Sequence, residues 1–272
     1  MISRRDFLKI SGISTFALYA AARGNPLMKA LALSAAPGLS DPALQPKFAN
    51  PVPDALAPGF IYQPDRRTGE YFITAAMAQQ ATGLIDPVTG KALKTWVWGY
   101  GDSKDEFFTW PGRTFQVQNS SAGGPPETIV NWINGLKPID QHLLPVDTSL
   151  HWCYSLPGYE SLSIGMNGVP IITHLHGGHS DFQFDGNPEF FYGPEGNNQV
   201  VGPQWANVPG GFTTRFHYDN NVPAGNLWYH DHALGITRLN VYAGLAGFYF
   251  VRDEFDTGLP AGDKKGGNTL GL

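Results

Sequence analysis

A chain of 272 residues with 42% hydrophobic content can bury one large core or two small ones. Its 33 glycines, 22 prolines and only 15% charged residues favour strands joined by turns and argue against long surface helices. A net charge of −5 with no basic cluster past the N-terminus excludes an ordinary nucleic-acid surface, and the single Cys153 excludes an intramolecular disulfide.

The chain opens with Ser3-Arg4-Arg5-Asp6-Phe7-Leu8-Lys9 and a mildly apolar run from Ile10 to Ala22. That pattern predicts a twin-arginine export signal over residues 1–36, with cleavage near Ala20-Ala21-Ala22 or Ala32-Leu33-Ser34-Ala35. The apolar run is too short for a stable bilayer span. Such a signal places the protein in the periplasm or another extracytoplasmic space, by a route that carries folded, cofactor-loaded proteins. Residues 37–65 contain Pro42, Pro46, Pro51, Pro53, Pro58 and Pro64 and read as an extended arm wrapping a domain surface.

Strand-like segments follow at short intervals: Tyr71-Phe72-Ile73-Thr74, then Thr95 to Gly101, Phe115 to Gln118 and Thr128 to Trp132. Val169 to Thr173 leads into the first histidine run with β-branched residues. Asp181 to Gly211 is a long irregular insertion, and Phe212 to Tyr218 alternates, with Phe212, Thr214, Phe216 and Tyr218 on one face. Gly225 to Tyr229 leads into the second histidine run, and Ala243 to Val251 is a last apolar strand. About eight strands and no amphipathic helix predict an all-β, antiparallel sandwich or barrel over residues 37–255. Residues 256–272 read as a linker or frayed tail.

Five of the eight histidines stand in Thr173-His174-Leu175-His176-Gly177-Gly178-His179 and Trp228-Tyr229-His230-Asp231-His232. On a strand, His174 and His176 share a face about 7 Å apart, as do His230 and His232, while Leu175 and Asp231 face the other way. Two such pairs on neighbouring strands converge four imidazoles, a donor set that suits zinc, copper, iron or nickel. His179 reads as a loop residue, and His142, His151 and His217 as structural or surface residues. Trp228 and Tyr229 read as packing walls, and Cys153 as a small buried hydrophobe.

Two metal-binding families fit poorly. The metallo-β-lactamase pattern Thr-His-x-His-x-Asp-His fails at Gly178, and the helices that fold needs are missing; the cupin pattern lacks its glutamate. The chain instead resembles the N-terminal cupredoxin domain of multicopper oxidases, in particular the spore-coat laccase, bilirubin oxidase and phenoxazinone-synthase-like group. The resemblance runs over residues 45–252. It is carried by Trp96 to Gly101 with Pro111-Gly112, the Leu143-Leu144-Pro145 region, His174 to Gly178 and Asp185-Gly186-Asn187-Pro188-Glu189. Pro223-Ala224-Gly225 through His232 and Gly235 to Gly247 complete it.

The resemblance implies a cupredoxin-like Greek-key β-sandwich or barrel with a proline-rich arm. It also implies copper: dioxygen reduced to water at three ions held by four His-x-His pairs, two of them in this domain. His174 resembles a type 2 ligand; His176, His230 and His232 resemble type 3 ligands. Asp185 resembles the acid that supports proton delivery, against the plainer reading of a turn aspartate before Gly186. Gly177 and Gly178 would let backbone pass close to the metal cluster.

The family's type 1 copper needs His-Cys-His; His151-Trp152-Cys153-Tyr154 has the wrong spacing, and the other two His-x-His pairs are absent from these residues. The expectation is half of a trinuclear site from a truncated or split gene, inactive alone, whose missing C-terminal domains could be a separate chain. The whole enzyme would take electrons from a phenol, aromatic amine, pigment or metal ion, with dioxygen as acceptor and no nucleic-acid partner. The alternative is a non-enzymatic periplasmic copper-binding cupredoxin.

Overall fold

A computed structural model describes residues 41–259 apart from 49, 51, 140, 197 and 198. The predicted export signal lies outside the described residues, as does the predicted tail beyond residue 259. No helix among the described residues is long and apolar enough to cross a membrane. These residues fall into two compact units. Residues 41–50 and 84–91 form one, in which the Gln45 side chain pairs with both backbone groups of Ile85 at 2.9 and 3.0 Å.

The other unit contains the β-sandwich. Its strands are β1 (Tyr71–Ile85, whose last two residues belong to the smaller unit), β2 (Ala92–Asp102), β3 (Gly112–Gln118), β4 (Glu127–Asn134), β5 (Thr173–His176), β6 (Arg215–Asp219), β7 (Gly225–Asp231) and β8 (Ala246–Arg252). Two short α-helices lie among the described residues, α1 (Ile164–Asn167) and α2 (Thr237–Ala243). One sheet runs β2-β1-β4-β6, the other β3-β8-β7-β5. Alternation shows why each strand lies as it does. In β4, Thr128, Val130, Trp132 and Asn134 are buried and the intervening residues half-buried; in β8, Gly247, Tyr249 and Val251 point inward.

The antiparallel expectation is corrected at two places. β1 pairs with β4, and β3 with β8, in parallel. Alternation fixes which face of a strand is buried but says nothing of its neighbour's direction, and a chain that crosses between sheets brings same-sense strands together. The expectation of no helix is corrected as well. Thr237–Ala243 is helical, and the last strand starts at Ala246, after Gly244 turns the chain. Two turns rich in β-branched and polar residues carry too little 3.6-residue periodicity to show in a sequence. The irregular insertion is packed: Phe190, Phe191, Tyr192 and Trp205 are all buried.

Tyr229 of β7 is the ring on which the two sheets meet. Its centroid lies 5.2 Å from Tyr100 and Phe115 and 5.4 Å from Trp132. Its hydroxyl donates to the Arg113 carbonyl at 2.7 Å. The phenol fits because Gly112 and Gly247, paired in register, leave a slot; a Cβ on either would stand 2.3 or 2.2 Å from the tyrosine oxygen. Gly247→Ala is therefore expected to cost about 1–3 kcal/mol of unfolding free energy in urea titrations. Gly225→Ala, where the added Cβ meets nothing closer than 4.0 Å, is the control and should be near neutral. Equal stability of the two variants would refute the slot.

Candidate metal centre

β5 and β7 pair antiparallel with His174 opposite His230 and His176 opposite Trp228. Because Leu175, Tyr229 and Asp231 take the inward positions, His174, His176, Trp228 and His230 stand on the sheet face turned away from the core. Nitrogens of His174, His176 and His230 all lie within 4.8 Å of one another. The His232 ring sits at the edge of that group, 5.3 Å from His174 and 5.8 Å from His230 between centroids. Trp228 stacks on His230 at 4.0 Å and on His176 at 5.3 Å, so it walls the group on one side. His230 is buried, His174 and His232 are half-buried and His176 is exposed.

Backbone carbonyls set the ring tautomers. His174 Nδ1 meets the Asp185 carbonyl oxygen, and His230 Nδ1 meets the Asp231 carbonyl oxygen at 2.7 Å. A carbonyl only accepts, so in each neutral ring the proton sits on Nδ1 and Nε2 carries the lone pair that can accept or bind a ligand. The His230 Nε2 faces His176 Nδ1 at 3.3 Å. The Asp185 carboxylate, 57% exposed, comes to 3.5 Å of His174 Nδ1. Gly186 makes that approach possible: its φ is +76°, and a Cβ there would stand 2.3 Å from His174 Cβ. A Cβ added at Gly177 or Gly178 would meet the Leu227 or Leu175 side chain first.

Burial favours the neutral form of His174 and His230. Desolvation pushes the His230 pKa down to about 4 and lowers that of His174, and the neighbouring imidazoles add to the effect in both. Neutral imidazole is the metal-binding form, and the His232 Nδ1 is buried with no hydrogen-bond partner. An all-nitrogen donor set with a partnerless buried nitrogen fits a copper ion.

Behind the rings lies a group in which sequence reasoning gave Asp231 and Asn240 no role and read His142 as structural or surface. Asp231 is fully buried; it accepts from the N–H groups of Ile172 (3.0 Å) and Ala233 (3.0 Å) and from the Asn240 amide (2.8 Å). Burial pushes its carboxyl up to about 7 against the pull of these donors. Asn240 in turn meets His142, which is buried and packs edge-on against Trp98 at 4.3 Å. The available signal was that a charged residue at an inward strand position must find partners. Cys153 is buried beside the Leu234 carbonyl, which it meets through both N–H (3.1 Å) and Sγ (3.4 Å). His179 bonds Asn221, His217 bonds Glu127 and Arg215, and His151 lies near Ser155.

No protein-family model matches the chain. It is 31% identical to a laccase of Bacillus subtilis (strain 168) over 75% of its own length and 33% of the relative's. It is 34% identical to multicopper oxidase LPR1 of Arabidopsis thaliana over 62% of its length and 25% of the relative's. It is 38% identical to a multicopper oxidase LPR1 homologue of Oryza sativa subsp. japonica, over 57% and 23%. Among solved structures, a laccase from Pediococcus acidilactici aligns with a TM-score of 0.45 at 20% identity, covering 75% of this chain and 31% of that one. The chain thus spans a quarter to a third of the length of these relatives.

Burial also lowers the His142 pKa, and the sign of its effect on stability follows. A folded value below that of free imidazole, about 6.5, means that His142 stabilises the fold fully above that pH. The contribution is lost as acid drives the pH down through the folded value. An NMR titration of the metal-free chain should place the His142 midpoint below 6.5; a midpoint at or above it would show the ring to be solvated.

Proposed function

The chain belongs to the multicopper oxidase family, and from that premise we propose that it supplies half of the ligands of a trinuclear copper centre. In this reading His174 holds a type 2 ion, and His176, His230 and His232 hold ions of the type 3 pair. Bound there, copper would supply the one-electron redox chemistry by which dioxygen is reduced to water. The observation that carries the reading is the convergence of His174, His176 and His230 on the outward face of their sheet, with the His232 ring 5.3 Å from that of His174. Such a half-site calls for facing ligands from a second domain. An apolar groove of about 910 Å³ continues from His230 past Trp96, Trp110, Trp228 and Tyr242, and a facing domain would cover it.

The chain's own residues then divide the work. The Asp185 and Asp231 carbonyls hold protons on Nδ1 of His174 and His230 and direct Nε2 to the metal. Trp228 excludes water from one side of His230. The half-exposed Asp185 carboxylate, beside His174, delivers protons to the reduced oxygen. The electron donor would be a phenol, aromatic amine, pigment or metal ion. The Arg4-Arg5 motif and the apolar run after it support export by the twin-arginine route to an extracytoplasmic space.

Copper titration of the purified chain with electron paramagnetic resonance tests the reading. Imidazole nitrogens should appear around the bound ion, and His174→Ala with His230→Ala should weaken binding about 10–100-fold or more. The chain by itself should not oxidise a phenolic dye. A blue protein that does so unaided, or copper bound without imidazole, would sink the assignment; one ion bound tightly and reversibly at a complete site would favour a copper carrier.

Asp185→Asn separates the two roles of that residue. Its backbone carbonyl is retained, so copper content should not change. Oxygen consumption by the assembled enzyme should fall by about 10²-fold. Loss of copper in place of turnover would mean that the carboxylate holds His174 and carries no proton.

A further inference from the structure

Asn240 is fully buried in α2 and each of its side-chain polar atoms is engaged. Its amide nitrogen donates to Asp231 Oδ2 at 2.8 Å and to the Pro170 carbonyl at 3.1 Å. Its carbonyl oxygen meets His142 Nε2 at 3.0 Å. The direction of that last bond is settled by the far side of the ring, where the Leu144 N–H donates to His142 Nδ1 at 2.9 Å. Nδ1 is therefore the acceptor, the ring proton is on Nε2, and it points at Asn240 Oδ1. The amide of Asn240 is thus locked with its N–H groups toward Asp231 and Pro170.

Asp231 passes that constraint to both ligand strands. One carboxylate oxygen holds the Ile172 N–H, two residues before His174; the other holds the Ala233 N–H, one residue after His232. The His232 N–H itself donates to the Ile172 carbonyl at 2.8 Å. Neither Asn240 nor His142 makes a hydrogen bond to a ligand ring. They reach the rings through the backbone that carries them, from the far side of the sheet.

We propose that Asn240, held in orientation by His142, is a positioning residue of the metal centre: it fixes Asp231 so that His230 and His232 are presented in register with His174 and His176. The proposal deepens the copper reading and rests on it for its metal-binding consequence, though not for its effect on the metal-free rings.

The test uses the full chain in three variants: Asn240→Ala, His142→Gln and, as a stability control in the opposite sheet, Thr128→Val. Thr128→Val removes the buried hydroxyl bond to the Asn220 side chain and leaves the brace intact. First, long-range nitrogen–proton spectra of the imidazoles are recorded without metal. In Asn240→Ala the His230 and His232 resonances should broaden or move toward tautomer-averaged positions, while those of His151 and His179 stay. Second, copper affinity is measured. It should fall about 10–100-fold in Asn240→Ala and less in His142→Gln, with fewer imidazole nitrogens in the copper resonance.

Unchanged spectra and affinity within twofold of the parent in a folded Asn240→Ala would overturn the proposal. So would an equal loss in Thr128→Val, which would reduce the effect to general destabilisation. If Asn240→Ala does not fold, His142→Gln decides on the same readings. A parent chain that binds no copper would sink the copper reading alone, because the metal-free spectra still decide for or against the brace.

Discussion

The structure depends on the alternation of a single strand. β7 carries Tyr229 and Asp231 on its inner face and Trp228 and His230 on its outer one, with His232 just beyond its end. The inner pair holds the strand by two different means: an aromatic ring locked in a glycine slot between the sheets, and a carboxylate bound by N–H groups from three segments. A slip of one residue would bury two imidazoles in an aromatic core and turn Asp231 to solvent, so the core specifies the register of the ligands.

The two inner residues do different jobs. Tyr229 contributes area and shape, and the rings of Tyr100, Phe115 and Trp132 around it make β7 the strand on which both sheets agree. Asp231 contributes little by burial, since a carboxyl driven up to about 7 is an unfavourable tenant when ionised. What it adds is direction. Its donors come from the segment before β5, from the turn after His232 and from α2, which are the pieces that must be aligned if four rings are to converge. A hydrophobic residue there could fill the space and would leave Ile172 and Ala233 N–H groups without a partner.

Much of this was legible in the sequence, and the limits of legibility follow from what each signal encodes. Period-two alternation located the strands and put His174 with His176 and His230 with His232 on common faces, because side-chain facing is local. The pairing of β1 with β4 and β3 with β8 in parallel was not legible, because strand direction depends on how the chain crosses between sheets. The helix at Thr237–Ala243 was too short to show its period. Asn240 and His142 stand 98 residues apart in sequence, and only the fold reveals that they meet. Asp185 was singled out for its carboxylate, yet the tightest contact it makes is through its main-chain carbonyl. Sequence displays side chains, and a role performed by backbone does not show there.

The electrostatics of the face join these points. An imidazole binds metal only when neutral, and desolvation keeps His230 neutral over the range in which free histidine titrates. Burial that deep on an outward sheet face needs cover, which Trp228 gives by stacking on both His176 and His230. The same tryptophan is itself partly exposed and borders the apolar groove. The four imidazoles are thus half-desolvated by their own domain, and the groove beside them stands open. Tautomers, by contrast, are already set from within by the Asp185 and Asp231 carbonyls. Orientation of the rings is a property of this chain alone; under the proposed half-site, completing the coordination and excluding water would fall to an assembly.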